Sequence, residues 1–580
     1  SGTGKIKFSD LVWRDSQLSA QNGNCRFENC VFSAGSLTAT GTRLELLNNT
    51  FLDNCKISAT PERAVLRNNL FIMSQPALAV KAGSICSENN CFSGTAATVA
   101  LQSWQQSVTE AWPSFQAAVE LSPDYRLPDK SRLRFAGLGN TSIGARGPLP
   151  PTADLTVENL EMAMVLSDRA LIRWSTPYEY ADVDIICLES DSKKKVHQQH
   201  LRQGIFAVTQ NSYCLRGLQP ESKYQLELVF RDRNRTAVQR TKLSFTTPAQ
   251  EQPQPRTLFV AAATGQDSQD GLSPQTAKKT ISAALLAARR GDTVQIAAGI
   301  YPEMLEVYVD GLTLKGEQPG LVRLSAQRIF DSQLRLNQVS DITIDGLMFT
   351  DVYYTSNCTS LSLTDVSNIT VQNCFFDRNR TPGRGACANV QLRGVGVNGL
   401  TVRNCIFHSG FHGIWVSAGD NLKYYNNTFH GIGINAIHSG CGPEAKVEMY
   451  NNIYSNVVSN HHSPAISTGT HGPNIYSDYN LYWHTAEVCP RQKIYGFGGG
   501  GERWSAPWQV MQKDMSADLE ETRSRYGIEA HGLFADPQFT DQRGSDFSLK
   551  PESPTRGSGR DGQNIGADAS RFSGIVQEKK

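Results

Sequence analysis

Histidine is concentrated in one part of the sequence, where it could take part in proton transfer. Eight of the eleven histidines lie between His408 and His484, although this stretch is a small part of the 580 residues. Imidazole is the side chain whose ordinary pKa lies nearest to neutral pH, so it serves as a general acid, a general base or a metal ligand. The neighbours of these histidines indicate two sets of residues that could act together.

The first set follows an aromatic residue that recurs along the chain. The residue directly after that aromatic is Asp377, His408, His430 and Ser455 in four consecutive segments. If the segments stack as strands about 4.8 Å apart, the four side chains form a column. We therefore predict His408, His430 and Asp377 as catalytic residues, with no metal. A polar column that only caps turns is the alternative.

The second set is predicted to share one outward-facing position, occupied by Gln391, Trp415, His438 and Ser467. An indole ring can cover the C–H face of a pyranose, and the neighbouring His438 could transfer a proton as a catalytic residue. Arg393 lies two residues beyond Gln391, hence on the same strand face, and could bind a uronate or a sulfate. An ordinary exposed strand face is the alternative. The predicted substrate-binding residues are Gln391, Arg393, His412 and Trp415.

A repeated phrase, Asn-x-x-Phe/Tyr, must position both sets. Its aromatic residues are Phe32, Phe51, Phe71 and Phe92, then Phe376, Phe407, Phe429 and Tyr454. Within each group the aromatics are 19 to 31 residues apart, which is typical of a solenoid whose stacked coils bury an apolar face together. Asn suits the turn because it tolerates left-handed backbone, and its amide can bond to the amides above and below.

An aliphatic repeat in the same region supports stacked coils. Val390, Ile414, Ile437 and Ile466 are predicted to occupy equivalent inward positions, flanked by glycine and small residues. Because side chains alternate between the two faces of a strand, the residue that follows each of them points outward. This alternation defines the second candidate set.

These repeats resemble the right-handed parallel β-helix superfamily, to which pectate lyases, polygalacturonases and many uncharacterised secreted bacterial proteins belong. The resemblance covers residues 1–147 and 257–570 and implies an all-β fold. Residues 280–288 look like the helix that caps such a solenoid, since their apolar side chains share one face and Gly291 is placed to end the helix.

The two ranges also end alike. The stretches 124–145 and 546–567 both run from Asp-Tyr/Phe to Ile-Gly-Ala over 22 residues. We therefore predict that residues 1–147 are the C-terminal half of one parallel β-helix and that residues 257–570 are a complete, capped one.

Between them, residues 151–248 carry a different pattern. Trp174 and the stretch 218–224, with Leu-x-Pro-x-x-x-Tyr, look like the buried Trp and the tyrosine corner of a fibronectin type III β-sandwich. Its expected role is that of a spacer, with binding of carbohydrate or protein as the alternative.

Composition excludes several classes of partner. The net charge of +1 gives no global attraction to nucleic acid or to an anionic membrane. No apolar run approaches about 18 residues, so membrane insertion is not expected. The thirteen cysteines form neither a compact disulfide framework nor a zinc pattern and are interpreted as buried residues of the stacked coils. Isolated disulfides such as Cys187 with Cys214 are the alternative. No cofactor can be inferred.

These observations lead to two functional hypotheses. The first is an extracellular carbohydrate-active enzyme, a glycoside hydrolase or polysaccharide lyase acting on a polysaccharide along the second β-helix. The second is a non-catalytic cell-surface adhesin or envelope scaffold, with other envelope or extracellular proteins as partners. The aspartate triplet of polygalacturonases and the calcium and arginine set of pectate lyases cannot be placed on these residues. The resemblance therefore implies fold and substrate class, and no catalytic residue.

Overall fold

The computed structural model describes residues 5–9, 11–20, 24–52, 55–72, 78–80, 84–88, 90–93, 110–111, 115–116, 157–175, 182–201, 210–231, 237–250, 254–325, 332–350, 359–377, 390–410, 412–442, 444–457, 465–468, 474–484, 495–497, 515–542 and 545–572. The chain forms two compact units, residues 1–251 and 252–580. The predicted division at 1–147, 151–248 and 257–570 stays a prediction. Among the described residues, no helix is long and apolar enough to cross a membrane.

The N-terminal part of the first unit is a stack of parallel strands. Twelve strands pair in one sheet, all of them in parallel. They are β1 (Lys5–Ser9), β2 (Val12–Ala20), β3 (Asn24–Glu28), β4 (Val31–Leu47), β5 (Thr50–Phe51), β6 (Cys55–Arg67), β7 (Leu70–Ile72), β8 (Leu78–Val80), β9 (Ser84–Glu88), β10 (Cys91–Ser93), β11 (Glu110–Ala111) and β12 (Phe115–Gln116). The stretch 124–145, predicted to match the end of the second helix, lies outside the described residues.

Seven antiparallel strands follow as a β-sandwich. One sheet holds β13 (Glu158–Val165), β14 (Arg169–Ser175) and β17 (Gln210–Arg216); the other holds β15 (Asp182–Glu189), β16 (Lys195–Leu201), β18 (Lys223–Arg231) and β19 (Ala237–Thr246). Trp174 and Tyr224 are both buried in the core, and the Tyr224 hydroxyl accepts a hydrogen bond of 2.8 Å from the Gln219 N–H. The assignment of this sandwich to the fibronectin type III type stays a prediction.

The second unit begins with the predicted cap. Helix α1 (Ile281–Ala287) buries Ile281, Ala284 and Leu285. The Thr280 hydroxyl accepts a hydrogen bond of 3.1 Å from the Ala283 N–H, and the Glu303 carboxylate accepts bonds of 2.9 Å from the first two N–H groups of the helix. A carboxylate there complements the positive end of the helix dipole.

Two parallel sheets build the second β-helix. The fifteen strands of sheet I are β20 (Thr257–Val260), β21 (Thr293–Ile296), β23 (Leu305–Val307), β24 (Thr313–Gly316), β26 (Ser332–Asn337), β27 (Ser340–Asp345), β29 (Thr359–Gln372), β31 (Val390–Arg403), β33 (His412–Val416), β34 (Gly419–Tyr425), β36 (Asn435–Ser439), β37 (Val447–Tyr450), β39 (Ile466–Thr468), β40 (Ile475–Asp478) and β42 (Tyr495–Phe497). The nine strands of sheet II are β22 (Gly299–Tyr301), β25 (Val322–Ser325), β28 (Leu347–Thr350), β30 (Phe375–Asp377), β32 (Ile406–His408), β35 (Thr428–His430), β38 (Ile453–Ser455), β41 (Leu481–Trp483) and β43 (Leu533–Phe534).

The C-terminal part of the unit covers the outer face of sheet II. It contains helix α2 (Met515–Tyr526), the antiparallel pair β44 (Phe539–Asp541) and β45 (Asp546–Leu549), and the short 3₁₀ turns Arg560–Gly562 and Ala569–Phe572. Phe539, Phe547, Ile565 and Phe572 pack in one cluster with outward side chains of sheet II such as Phe375. We call residues 539–572 the C-terminal cover.

The aromatic ladder predicted from the repeated phrase is confirmed. Phe376, Phe407 and Phe429 stack with ring centroids 4.6 and 4.8 Å apart, and Phe32, Phe51 and Phe71 stack at 4.7 and 5.0 Å in the first helix. These distances match the strand spacing of about 4.8 Å. Like residues therefore lie directly above one another.

Two adjacent residues share the role that the sequence assigns to one asparagine. The first residue of the phrase has left-handed backbone, with φ of 53° at Asn373 and 53° at Asn426. The second is buried and forms the amide ladder: the Asn427 amide donates to Asn452 Oδ1 at 3.1 Å, and the Asn452 amide donates to Asn480 Oδ1 at 3.0 Å. Asn-Asn pairs thus combine a turn and a ladder.

Cysteine occupies the second position of this phrase in several coils. Cys30, Cys374 and Cys405 are all buried there, and burial raises the pKa of the Cys405 thiol. Cys187 and Cys214 both carry free thiols, so the alternative of a Cys187–Cys214 disulfide is wrong. The prediction that cysteines are buried residues of the stacked coils is confirmed for Cys30, Cys374 and Cys405.

The predicted aliphatic ladder is confirmed for the coils of Ile414, Ile437 and Ile466. In the coil of Val390 the predicted register is wrong by two residues. Ile414 pairs with Ile437, and Ile437 pairs with Ile466. The partner of Ile414 in β31 is Leu392, whereas Val390 pairs with His412. A slip of two residues keeps every side chain on the same face of the strand, so the alternation of apolar and polar residues cannot detect it.

Candidate functional site

A partly exposed column of side chains runs along sheet I and forms the candidate site. The pairing of strands places Arg335, Ser362, Arg393, Trp415, His438 and Ser467 side by side in consecutive coils. Their neighbours along each strand, from Leu334 to Ile466, point inward and are buried. Alternation along the strands therefore directs the whole set outward. We call these six residues the outer column.

The register corrects one predicted member. Gln391 does not share the column with Trp415, because Arg393 pairs with Trp415. Gln391 is fully buried, and its amide donates to the carbonyl oxygens of Phe376 at 3.3 Å and His408 at 3.1 Å. These carbonyls belong to sheet II strands. Gln391 thus joins two sheets and has no surface to offer a substrate.

The centre of the outer column is a pair of stacked rings. The Trp415 and His438 ring centroids lie 4.1 Å apart at an interplanar angle of 37°. His412 meets the edge of Trp415 at 4.7 Å and 87°. His412 itself is 1% exposed, so it supports the indole from within the coil. The predicted contact of His412 with substrate is not supported by this burial.

A cleft lies at the arginine end of the outer column. It has a volume of about 430 Å³, and its lining includes both arginines of the outer column, Arg335 and Arg393. Hydroxyl groups complete much of the lining: Ser332, Thr359, Ser362 and Thr364. Guanidinium and hydroxyl groups together suit an anion that also carries hydroxyls. Within the described part of the chain, no group of three His, Cys, Asp or Glu side chains could hold a metal ion.

The other predicted column forms in the expected register on sheet II. Asp377 pairs with His408, His408 with His430, and His430 with Ser455. His408 Nδ1 lies 2.8 Å from Asp377 Oδ1, and His430 Nδ1 lies 3.2 Å from Ser455 Oγ. The two imidazole rings are 5.8 Å apart. We call these four residues the covered column.

The C-terminal cover shields this column. Asp377 and His408 are 7% and 8% exposed, and the Phe547 ring lies 5.2 Å from His408 and 5.3 Å from His430. Burial, with repulsion from His408 as a smaller cause, lowers the pKa of His430 to about 3. His430 is therefore neutral near pH 7. Because the cover occupies the space that a polymer would need, this geometry does not support the predicted catalytic roles of Asp377, His408 and His430.

Sequence reasoning missed the first two members of the outer column. Arg335 and Ser362 lie in strands that alternate correctly, in Leu334-Arg335-Leu336 and Leu361-Ser362-Leu363. The repeated phrase is altered between them, where Gly346, with φ of 74°, takes the left-handed position of the asparagine. These two stretches alternate apolar and polar residues, and this alternation, aligned with Leu392 in the following coil, could have identified both residues.

A family model agrees with this architecture. Residues 324–480 match the family model described as "Right handed beta helix region". No curated protein matches the sequence significantly. Among solved structures, a family 28 exopolygalacturonase from Yersinia enterocolitica is 11% identical, with 60% of this chain and 83% of that chain covered and a TM-score of 0.25.

Two further structures have similar values. The catalytic domain of a GH87 α-1,3-glucanase is 12% identical, with 58% of this chain and 62% of that chain covered and a TM-score of 0.26. Pectate lyase Pel3 from Pectobacterium carotovorum is 10% identical, with 60% and 92% covered and a TM-score of 0.18. These likenesses do not bear on the activity of this chain. The family match over residues 324–480 and the stacked parallel coils together show that the second unit has the fold of a right-handed parallel β-helix.

Proposed function

We propose that this chain is an extracellular or cell-surface carbohydrate-active protein that binds an acidic polysaccharide across the outer column and cleaves it with His438 as the proton-transfer group. The observation that carries the proposal is the Trp415–His438 ring pair, which lies in register with Arg393 on one exposed sheet face. A stacking surface, a proton-transfer group and a cation are thereby fixed in three successive coils.

The size of the column suits a polymer. Adjacent strands lie about 4.8 Å apart, so the five steps from Arg335 to Ser467 span about 24 Å. A chain of several sugar units laid across the strands would contact each coil in turn. The indole of Trp415 would cover one sugar ring, and the guanidinium groups of Arg393 and Arg335 would bind carboxylates of neighbouring units.

The side chains favour elimination over hydrolysis. Glycoside hydrolysis normally uses two carboxylic acids on either side of the scissile bond, and the outer column carries no carboxylate. In elimination from a uronate, a base removes the proton next to the carboxylate, and a C=C bond forms as the neighbouring glycosidic C–O bond breaks. The departing oxygen takes a proton from water, and a cation neutralises the carboxylate. The imidazole of His438 supplies the base, and the guanidinium of Arg393 supplies the cation.

A product assay tests this proposal. The full chain is incubated with polygalacturonate, alginate and a neutral glucan, and two signals are followed: new reducing ends and the ultraviolet absorbance of unsaturated uronate. We expect both signals from an acidic polymer and neither from the neutral one. New reducing ends without the absorbance would replace elimination by hydrolysis, and no cleavage of any polymer would refute the enzymatic role.

One observation favours a second function, that of a non-catalytic adhesin or envelope scaffold. Three of the four predicted catalytic side chains lie on the sheet that the C-terminal cover occupies. A surface protein would bind the polymer through Trp415 and Arg393 without cleaving it. Binding of the acidic polymer with no product would establish this function instead.

A further inference from the structure

A second groove lies away from the outer column, between the turns of the second β-helix and the C-terminal cover. Its volume is about 950 Å³, more than twice that of the cleft at the outer column. The ends of β29, β31 and β34 contribute Gln372, Arg403 and Tyr425 to its lining, and the cover contributes Arg556, Asp568 and Arg571. We propose that this groove is a separate binding site for an acidic oligosaccharide.

The charge of the lining favours an anionic ligand. Three arginines and one carboxylate line the groove, and that carboxylate, Asp568, is bound to Arg571 at 3.3 Å. The hydrogen bonds of Arg403 reach neutral acceptors, Gln372 Oε1 at 2.9 and 2.6 Å and the Tyr425 hydroxyl at 3.5 Å. Arg556 donates to the backbone carbonyl oxygens of Lys550 and Leu549 at 2.8 and 2.5 Å. Neutral acceptors hold both guanidinium groups in place and leave their charge for a ligand.

The remaining lining favours a sugar over a simple anion. Six side-chain amides border the groove: Gln372, Asn373, Asn404, Asn426, Gln563 and Asn564. Amides offer both donors and acceptors, which hydroxyl-rich ligands require. The Tyr425 ring stacks on Tyr450 at 4.9 Å and 2°, so a flat aromatic surface is held rigidly beside Arg403. An aromatic ring next to a guanidinium suits a uronate, whose ring face is apolar and whose carboxylate is charged.

The groove has a rigid floor. The Asn404 amide donates to Asn373 Oδ1 at 2.6 Å, and Asn404 Oδ1 accepts from the Asp568 N–H at 2.5 Å. The Asn426 amide donates to the Asn564 carbonyl oxygen at 3.0 Å. Because these bonds join the left-handed turns to the cover, the two walls are already in place before a ligand binds. Such preorganisation reduces the entropy lost on binding.

The test is calorimetric binding of short oligogalacturonates to the full chain and to Arg403→Gln/Arg556→Gln, with methyl-esterified oligomers as the uncharged probe. We expect the double variant to lose at least about tenfold in affinity at this site, and the parent to prefer the acidic over the esterified oligomer by a similar factor. Arg403→Lys/Arg556→Lys keeps the charge and should recover part of the affinity. Lys423→Ala, which changes an exposed residue on β34, is the matched control.

The same experiment in a Trp415→Ala background separates this groove from the outer column. Binding that survives Trp415→Ala and is lost in the double arginine variant supports the second site, whether or not the outer column is active. Affinity equal to that of the parent in the double variant, with its thermal stability kept, would overturn the proposal. Equal competition by inorganic phosphate would also overturn it, because the groove would then recognise charge alone.

Discussion

The second β-helix carries two columns that contain histidine, one on each sheet. The outer column has His438 stacked on Trp415 at an open face of sheet I, whereas the covered column has His408 and His430 beneath Phe547 on sheet II. Both arise from the same strand stacking. The difference lies in the C-terminal cover, which buries the covered column and leaves the outer column open beside a cleft. Residue type and register alone therefore do not separate a site from a support.

The largest effect that can test this comparison is on the shared scaffold. Ile437→Asp would bury a carboxylate between Ile414 and Ile466 and should destabilise the fold by about 4 kcal/mol or more, because no cation can pair with it inside the coil. Thermal unfolding followed by circular dichroism measures this. Lys423→Gln, at an exposed position of β34, is the control and should change stability little, because an exposed ion pair such as that of Lys423 with Glu448 contributes little. Similar melting temperatures for both variants would refute the ladder.

The covered column should make stability depend on pH. Burial lowers the pKa of His430 in the folded state to about 3, from its ordinary value of 6.5, so the unfolded chain binds a proton that the folded chain does not. The stability linked to His430 is therefore complete above about pH 6.5 and falls by a few kcal/mol as the pH decreases towards 3. His430→Gln should remove this part of the dependence. Parallel melting temperatures for parent and variant from pH 4 to 7 would contradict the buried, neutral assignment.

A smaller effect is expected at the stacking surface of the outer column. Trp415→Ala should raise KM for the acidic polymer by about tenfold and change kcat less, because it removes contacts made equally in the ground and transition states. Trp415→Phe keeps an aromatic face and should recover part of the loss. Steady-state kinetics on defined oligomers separates the two constants. A loss confined to kcat would assign Trp415 a role in positioning His438 rather than the sugar.

The repeat in the sequence was sufficient to predict the stacked coils, the aromatic ladder and the register of the covered column. Each of these depends on side chains that recur at equivalent positions. The register of β31 was predicted two residues away from its true value, since Val390 and Leu392 are both apolar and both inward. Because of this error, Gln391, whose amide is buried, was predicted to lie beside Trp415 in the position that Arg393 occupies.

The cover could not be predicted from the same pattern. Phe539, Phe547 and Phe572 belong to a segment outside the repeat, and nothing in their spacing indicates which sheet they cover. Only the folded chain shows that Phe547 lies against both His408 and His430, and Phe539 against His430. The exposure of a histidine column therefore depends on contacts between residues more than a hundred positions apart, which the local pattern does not encode.

The central claim is that the outer column transfers the proton and the covered column holds the fold. The direct measurement is the initial rate of unsaturated uronate formation by His438→Ala and His430→Ala, assayed beside the parent at pH 7 and at a temperature where all three are folded. We predict that His438→Ala lowers kcat by about a hundredfold or more and keeps the parent's stability, whereas His430→Ala keeps most of the rate and melts at a lower temperature. A parent-like rate in His438→Ala together with a lost rate in folded His430→Ala would contradict the account.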